Sequence, residues 1–264
     1  MISIKKNLII FIVLFAFFLF ALYPEQPLHR VSNIAHRGAS YYEVDHSFAA
    51  YDLALSHKAD YLELDVQMTK DGVVVVEHDE SPPYAKGRMI SSYSYKELAS
   101  LERKNDKGST PILTLREVIA RYGTYPLYIE TKNRRPGIEQ ALIDVLVESG
   151  RINDPQTLLF QSKSEESLRI LKRRFPSIPT MKIFSKVESE NLTVDDLRKV
   201  KQYADGIIVN YKTFPIDLIS IAHEEKLYVH TYTVNSKSDM KRLIQLGVDG
   251  IITDRPDVLR KLYK

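Results

Sequence analysis

Short apolar runs alternate with longer amphipathic stretches along most of this 264-residue chain. Most short runs are apolar at consecutive positions, which is typical of strands whose two faces are both covered. The pattern predicts strands at residues 31–36, 61–67, 127–131, 157–161, 180–183, 206–210, 228–233 and 250–253. It predicts helices at residues 48–56, 115–122, 138–149, 165–175, 194–202, 215–225, 237–246 and 257–262. These alternations favour an α/β fold, a closed (β/α)8 TIM barrel, over an open sheet.

One segment interrupts the alternation after the second predicted strand. Residues 73–76 form an additional extended stretch behind the Asp71-Gly72 turn. Residues 80–111 then form an insertion rich in Ser, Tyr, Lys and Pro. Long insertions at the catalytic face of a barrel commonly shape or cover a pocket, and we expect that role here.

A weak repeat marks the ends of three predicted strands. Residues 58–65, 203–210 and 247–254 each contain an Asp, an apolar strand and a polar residue at the strand's carboxyl end. The leading Asp residues fit ordinary turns before a strand. The polar residues at the other end fall on the face where barrel enzymes carry out chemistry.

Carboxylates are concentrated at two of these strand ends. Glu63 and Asp65 alternate with apolar residues and therefore point to the same side of their strand. Two such charges about 5 Å apart repel by roughly 3 kcal/mol at an effective dielectric near 20, so they need a proton, a basic partner or a metal. Glu130 ends the neighbouring strand and is expected to approach them. Three carboxylates suit Mg²⁺ or Ca²⁺. Lys132 then either contacts a phosphate oxygen or forms a salt bridge within the cluster.

Two histidines accompany the carboxylates. His36 ends the first strand and precedes Arg37, whose guanidinium can hold phosphate oxygens, and Gly38, which permits close backbone approach. His78 follows the additional extended stretch. Two histidines on opposite sides of a phosphodiester can serve as general base and general acid. His230 lies within a predicted strand, as a core or pocket residue.

Composition narrows the possible chemistry. The chain has no cysteine, which excludes disulfides, thiolate catalysis and cysteine-ligated metals. Its net charge of +3 is too small to indicate nucleic-acid binding, and we expect none.

The amino terminus predicts a membrane address. Lys5 and Lys6 precede an uncharged, largely apolar run over residues 8–23. We interpret it as an uncleaved transmembrane signal anchor, in preference to a cleaved signal peptide that would make the protein secreted. Residues 1–30 are then anchor and tether, and residues 31–264 are a catalytic barrel on the extracytoplasmic side of the cell membrane.

The chain resembles the glycerophosphodiester phosphodiesterase (GDPD) family, including bacterial glycerophosphoryl diester phosphodiesterases. The resemblance rests on motifs that follow the family's order, at residues 36–39, 59–66, 69–72, 76–79, 129–132 and 247–256. It implies a (β/α)8 barrel with an insertion after the second strand. It also implies divalent-metal ligands at Glu63, Asp65 and Glu130, an acid–base pair at His36 and His78, and phosphate contacts at Arg37 and Lys132. Family enzymes hydrolyse glycerophosphodiesters to glycerol 3-phosphate and an alcohol.

Two positions depart from the family's pattern. Val44-Asp45-His46-Ser47 stands where the family usually has Pro-Glu-Asn-Thr, or a His in place of the Asn, so the shorter Asp45 leaves its contact with a metal open. Tyr232 stands where Trp is frequent and could form an aromatic wall over the glycerol or alcohol group. Alternatives to glycerophosphodiesters are lysophospholipids or an envelope glycerophosphate polymer. A further alternative is a non-catalytic barrel that binds phosphodiesters.

Overall fold

The computed structural model describes residues 30–132 and 135–263. The strands in this part of the chain are β1 (Ser32–Ala35), β2 (Tyr61–Met68), β3 (Val74–Val76), β4 (Glu102–Asn105), β5 (Gly108–Pro111), β6 (Leu127–Thr131), β7 (Leu158–Ser162), β8 (Thr180–Ile183), β9 (Gly206–Asn210), β10 (Tyr228–Tyr232) and β11 (Gly250–Thr253). The helices are α1 (Phe48–Ser56), α2 (Tyr95–Leu98), α3 (Leu115–Tyr122), α4 (Ile138–Glu148), α5 (Glu165–Arg174), α6 (Lys186–Glu190), α7 (Val194–Val200), α8 (Leu218–Glu224), α9 (Lys237–Gln245) and α10 (Pro256–Arg260).

Parallel pairing closes the sheet into a barrel. The strand order is β1-β11-β10-β9-β8-β7-β6-β2, and β2 pairs back onto β1 through Ile34 opposite Tyr61. The short strand β3 runs antiparallel along β2, with Val76 opposite Val66. The (β/α)8 prediction is confirmed, and every predicted barrel strand lies within one residue of its observed bounds.

Side-chain alternation separates two layers around each strand. On β2, Leu62, Leu64 and Val66 are buried against the surrounding helices. Glu63 and Asp65 therefore point into the barrel. Below them the barrel interior is filled by a separate apolar cluster of Ile34, Tyr128, Leu159, Met181, Ile183, Ile208 and Ile252. The acidic residues thus lie above packed apolar side chains.

The insertion after β3 contains structure that the sequence pattern does not reveal. Strands β4 and β5 pair as an antiparallel hairpin, and α2 precedes them. The residues of β4 are polar and mostly exposed, so no alternation of apolar residues marks the strand. The insertion packs over β3 through a small core of its own, made of Val75, Ala85, Ile90, Tyr93, Leu98 and Ile112. The short helix α6 was also not predicted, although Ser185 and Glu188 form a capping box at its start.

The predicted anchor and tether lie outside the described residues, apart from Arg30. Among the helices of the described part, none has the length and apolar character needed to cross a membrane.

His230 is a core residue at the bottom of the barrel, not a pocket residue. It is fully buried, and Nδ1 lies 3.1 Å from the Tyr128 hydroxyl. Its ring occupies the space beside Gly250, where a Cβ would come within 2.6 Å of an imidazole carbon. Only glycine therefore fits at position 250 without a shift. Burial lowers the pKa of His230 to about 4.

This buried imidazole should make the fold sensitive to acid. Between pH 6.5 and 4 the unfolded state binds a proton at His230 that the folded state refuses, so stability falls as the pH falls. The expected contribution is roughly 2 to 3 kcal/mol between pH 7 and pH 4.5. Urea titrations at both pH values should show a smaller loss for His230→Gln than for the wild type. Equal losses in the two proteins would contradict the assignment.

Candidate active site

Three carboxylates meet where the parallel strands β2 and β6 lie side by side. Glu63 and Asp65 come from β2, and Glu130 of β6 lies in register with Asp65. Each offers one oxygen within 4.8 Å of the others, and all three residues are buried. The parallel register is the cause, because neighbouring strands place their carboxyl ends at the same edge of the barrel.

Asp65 is the best neutralised member of the cluster. The ammonium of Lys132 lies 2.9 Å from Asp65 Oδ1 and 2.9 Å from Glu130 Oε1. Arg37 Nε lies 3.4 Å and His46 Nε2 3.0 Å from the other Asp65 oxygen. Burial opposes ionisation of Asp65, but Lys132 and His46 outweigh it and hold its pKa well below the usual range.

Glu63 and Glu130 retain unbalanced charge. The Glu63 carboxylate accepts hydrogen bonds from the backbone N–H of Arg37 at 2.9 Å and from Gln161 Nε2 at 2.8 Å. Burial, together with Asp65 and Glu130, nevertheless raises the pKa of Glu63 well above its usual value. Burial and Asp65 likewise raise the pKa of Glu130. The cluster therefore favours an added positive charge, and its hard oxygen donors fit Mg²⁺ or Ca²⁺.

A tight turn after β1 brings the first histidine and arginine into the site. Arg37 has a left-handed backbone with φ 55°, which is unusual outside glycine and asparagine. Gly38 has φ 86°, and a Cβ there would lie 2.7 Å from the Ala50 backbone. This conformation aims the Arg37 N–H at Glu63 while its side chain reaches Asp65.

A carboxylate network orients His36. Its Nδ1 lies 2.6 Å from Asp254 Oδ1, at the end of β11. Ser40 and Asn235 also donate hydrogen bonds to Asp254. Burial opposes ionisation of Asp254, but the bond to His36 and these donors lower its pKa to about 2, so it stays ionised. With Nδ1 engaged, Nε2 of His36 is the ring nitrogen left for a substrate.

His78 approaches the same cavity from the loop after β3. Its Nδ1 lies 2.7 Å from Asp79 Oδ1, and the side chain is half-buried. Burial lowers the pKa of His78, so its imidazole is readily neutral near pH 7. His36 and His78 both line one cavity of about 210 Å³ together with the carboxylate cluster.

The cavity has one charged and one apolar side. The apolar side comes from β8 to β11 and consists of Ile183, Ile208, Tyr232 and Ile252. The hydroxyl of Tyr232 donates to the Phe184 carbonyl at 2.7 Å, which fixes the ring. A larger hollow, about 450 Å³, lies among the loops at the opposite end of the barrel, and no histidine lines it. Barrel chemistry belongs to the first cavity.

Asp45 lies apart from the three carboxylates. Its Oδ2 is 3.7 Å from Arg37, and it is not among the residues that could share a cation. Its neighbour His46 instead joins the cluster: Nε2–H donates to Asp65, and Nδ1 accepts from the Tyr51 hydroxyl at 2.9 Å. Burial lowers the pKa of His46 to about 4, so this imidazole is neutral.

Sequence reasoning did not assign roles to four residues that complete the site, namely His46, Gln161, Asn235 and Asp254. Gln161 and Asp254 stand at or just after the carboxyl ends of their strands, as does Glu130. That position was the signal that could have identified them. His46 stands where the resembling family has Asn or His, and that was its signal. Nothing local marks Asn235, because its partner Asp254 lies 19 residues away.

Comparison with known proteins shows what this chain is similar to. The model of the glycerophosphoryl diester phosphodiesterase family matches residues 36–258. A glycerophosphodiester phosphodiesterase of Bacillus subtilis is 33% identical over 255 residues, covering 89% of this chain and 87% of the relative.

Solved structures agree. A phosphodiesterase from Oleispira antarctica, in complex with the product sn-glycerol-3-phosphate, is 26% identical with a TM-score of 0.73, covering 89% of this chain and 96% of that one. A glycerophosphodiester phosphodiesterase from Thermotoga maritima is 25% identical with a TM-score of 0.71, covering 89% and 99%.

The carboxylate cluster predicts how the protein responds to divalent cations. Without them, Glu63→Gln should melt at least as high as the wild type, because the substitution removes a buried charge that Asp65 and Glu130 oppose. Gln161 can rotate its amide to accept from the new side chain. Excess Mg²⁺ or Ca²⁺ should stabilise the wild type, by about 2.7 kcal/mol at 100 times the Kd.

Calorimetry should show that Glu63→Gln loses most of the stabilisation that Mg²⁺ or Ca²⁺ gives the wild type. Glu148→Gln, at an exposed ion pair on α4, is the control and should keep it. If Mg²⁺ or Ca²⁺ stabilised Glu63→Gln as much as the wild type, Glu63 would not be a cation ligand.

Proposed function

The chain belongs to the glycerophosphoryl diester phosphodiesterase family, and from that premise we propose that it is a metal-dependent enzyme that splits glycerophosphodiesters by the action of two histidines. The products are glycerol 3-phosphate and an alcohol. One observation carries the proposal: three buried carboxylates on β2 and β6 and two histidines from the loops after β1 and β3 line the same cavity. Retention of every one of these groups argues against a barrel that only binds phosphodiesters.

Glu63, Asp65 and Glu130 would hold the divalent cation. When bound, the cation would supply positive charge that polarises the phosphoryl group. The chain's own cations lie beside this position. Lys132 touches both Asp65 and Glu130, and Arg37 reaches Asp65, so both are directed at the place where phosphate oxygens would lie. The Arg37 guanidinium can present two N–H groups to a phosphate.

His36 and His78 are proposed to move the protons. As the attacking oxygen bonds to phosphorus, one imidazole accepts the proton that this oxygen loses. The bond from phosphorus to the leaving oxygen breaks, and the other imidazole gives that oxygen a proton. Asp254 holds His36 by Nδ1 and fixes the orientation of its ring, while Asp79 contacts Nδ1 of His78.

The cavity supports a small substrate. Its volume of about 210 Å³ falls below the roughly 300 to 1,000 Å³ of pockets that enclose drug-sized ligands. Tyr232 and the isoleucines beside it offer an apolar wall to the carbon atoms of glycerol or of the alcohol group. We therefore favour compact glycerophosphodiesters over lysophospholipids, whose acyl chain would extend beyond the cavity.

The direct test is a hydrolysis assay with the protein and glycerophosphocholine or glycerophosphoglycerol, measuring released glycerol 3-phosphate. Chelation should abolish turnover, and Mg²⁺ or Ca²⁺ should restore it. Lysophosphatidylcholine and a glycerophosphate polymer, assayed in parallel, should be poorer substrates. Turnover that resists chelation would contradict the metal, and no turnover of any phosphodiester would contradict the function.

Variants connect this activity to the site. His36→Ala and His78→Ala should each lower kcat by about 100-fold or more, because each removes a group that transfers a proton. His57→Ala, at the carboxyl end of α1, is the matched control and should keep the wild-type rate. Near-normal kcat in both His36→Ala and His78→Ala would contradict proton transfer by these two histidines.

We also propose that the enzyme is anchored in the cell membrane with its barrel outside the cytoplasm. The support is the apolar run over residues 8–23 behind Lys5 and Lys6.

Protease added to intact cells that produce the full chain should therefore digest the barrel, while a cytoplasmic marker stays whole. The barrel should sediment with membranes and leave them only in detergent. A barrel protected from protease until the cells are lysed would reverse the predicted orientation.

A further inference from the structure

One arginine of the β4–β5 hairpin in the insertion has a buried side chain. Arg103 of β4 is only 4% exposed, whereas the other residues of that strand are exposed. Its Nε and Nη2 donate to Glu77 Oε2 at 3.1 and 2.8 Å, and Nη2 also donates to the Val76 carbonyl at 2.8 Å. Its Nη1 donates to the Asp45 carbonyl at 2.8 Å. A buried guanidinium without partners would strongly destabilise the fold, and these bonds supply the partners.

Two partners of Arg103, the Glu77 carboxylate and the Val76 carbonyl, directly precede His78 in the chain. Glu77 precedes His78, and its other oxygen accepts from the backbone N–H of Asp79 at 3.0 Å. Gln67 donates to the carbonyls of Glu77 and Asp79 at 2.9 and 3.0 Å. Tyr84, also from the insertion, donates to the Glu77 carboxylate. The backbone on both sides of His78 is therefore fixed by buried bonds.

The remaining partner lies across the site. The Asp45 carbonyl belongs to the loop that carries His46, and His46 donates to Asp65 of the carboxylate cluster. One guanidinium thus joins two loops, one holding His78 and the other supporting Asp65. Arg103 itself does not line the cavity.

We propose that Arg103 is a positioning residue, through which the insertion holds His78 at a fixed place relative to the carboxylate cluster. The inference rests on the proposed function and assigns the insertion a part in turnover, although none of its residues lines the cavity. Catalytic groups displaced by about 1 Å can cost a factor of 100 in rate. Losing the guanidinium should therefore reduce kcat much more than it changes KM.

The test compares Arg103→Met, which keeps the length of the side chain, with Lys104→Met, an exposed neighbour on the same strand. Arg103→Met should lower kcat by about 10- to 100-fold with KM within about threefold, and Lys104→Met should match the wild type. In Arg103→Met alone, the Glu77 carboxylate would lose its charged partner and could unfold the protein. The double variant Arg103→Met/Glu77→Gln removes that carboxylate and should therefore fold. Its stabilisation by Mg²⁺ or Ca²⁺ should persist, because Glu63, Asp65 and Glu130 are untouched.

A double-mutant cycle separates positioning from general loss of structure. If Arg103 acts through His78, Arg103→Met should cost little in a His78→Ala background. Two outcomes would overturn the role while leaving the proposed function intact: wild-type kcat in Arg103→Met, or a full, additive loss in the His78→Ala background. A wild-type protein that hydrolyses no phosphodiester would instead overturn the proposed function, and this role with it.

Discussion

Mutual repulsion among three buried carboxylates is the constraint around which this molecule is organised. Strand alternation fixes Glu63 and Asp65 on one side of β2, and parallel pairing adds Glu130 from β6. The closed barrel therefore keeps the three backbone positions next to one another. The surroundings respond with Lys132 between two of the carboxylates and with hydrogen bonds from the Arg37 backbone, Gln161 and His46. The neutralisation is incomplete, which is the property a cation site requires.

Rigidity below the cluster makes this arrangement tolerable. Close-packed aliphatic residues and Tyr128 fill the barrel beneath it, so the space below the acidic side chains is occupied by apolar groups. Above it, other polar residues hold the imidazoles: Asp254, from the far end of the chain, fixes His36, and the nearby Tyr51 fixes His46. In this site, apolar packing fixes the position of the carboxylates, and polar partners fix the orientation of His36 and His46.

The sequence carries most of the fold and the central part of the site. Continuous apolar strands and amphipathic helices have strong local signatures, and the alternation in residues 61–66 reveals the paired carboxylates directly. The hairpin β4–β5 escapes detection because its strands are polar and its burial rests on one arginine. Asp45 and His46 show the other difficulty. The sequence leaves open whether Asp45 contacts a metal, because which of two adjacent polar side chains turns inward depends on the path of the loop, and here it is His46.

The point where the chain enters the barrel has a geometric consequence. Arg30 pairs with Asp60 and the Val31 N–H bonds to Tyr263, at the amino-terminal rim, whereas the cavity opens at the opposite rim. The described chain therefore starts at one rim of the barrel, and the cavity is open to molecules that arrive at the other. The contacts that hold the start of the barrel are thus separate from those that hold His36 and Arg37 in the site.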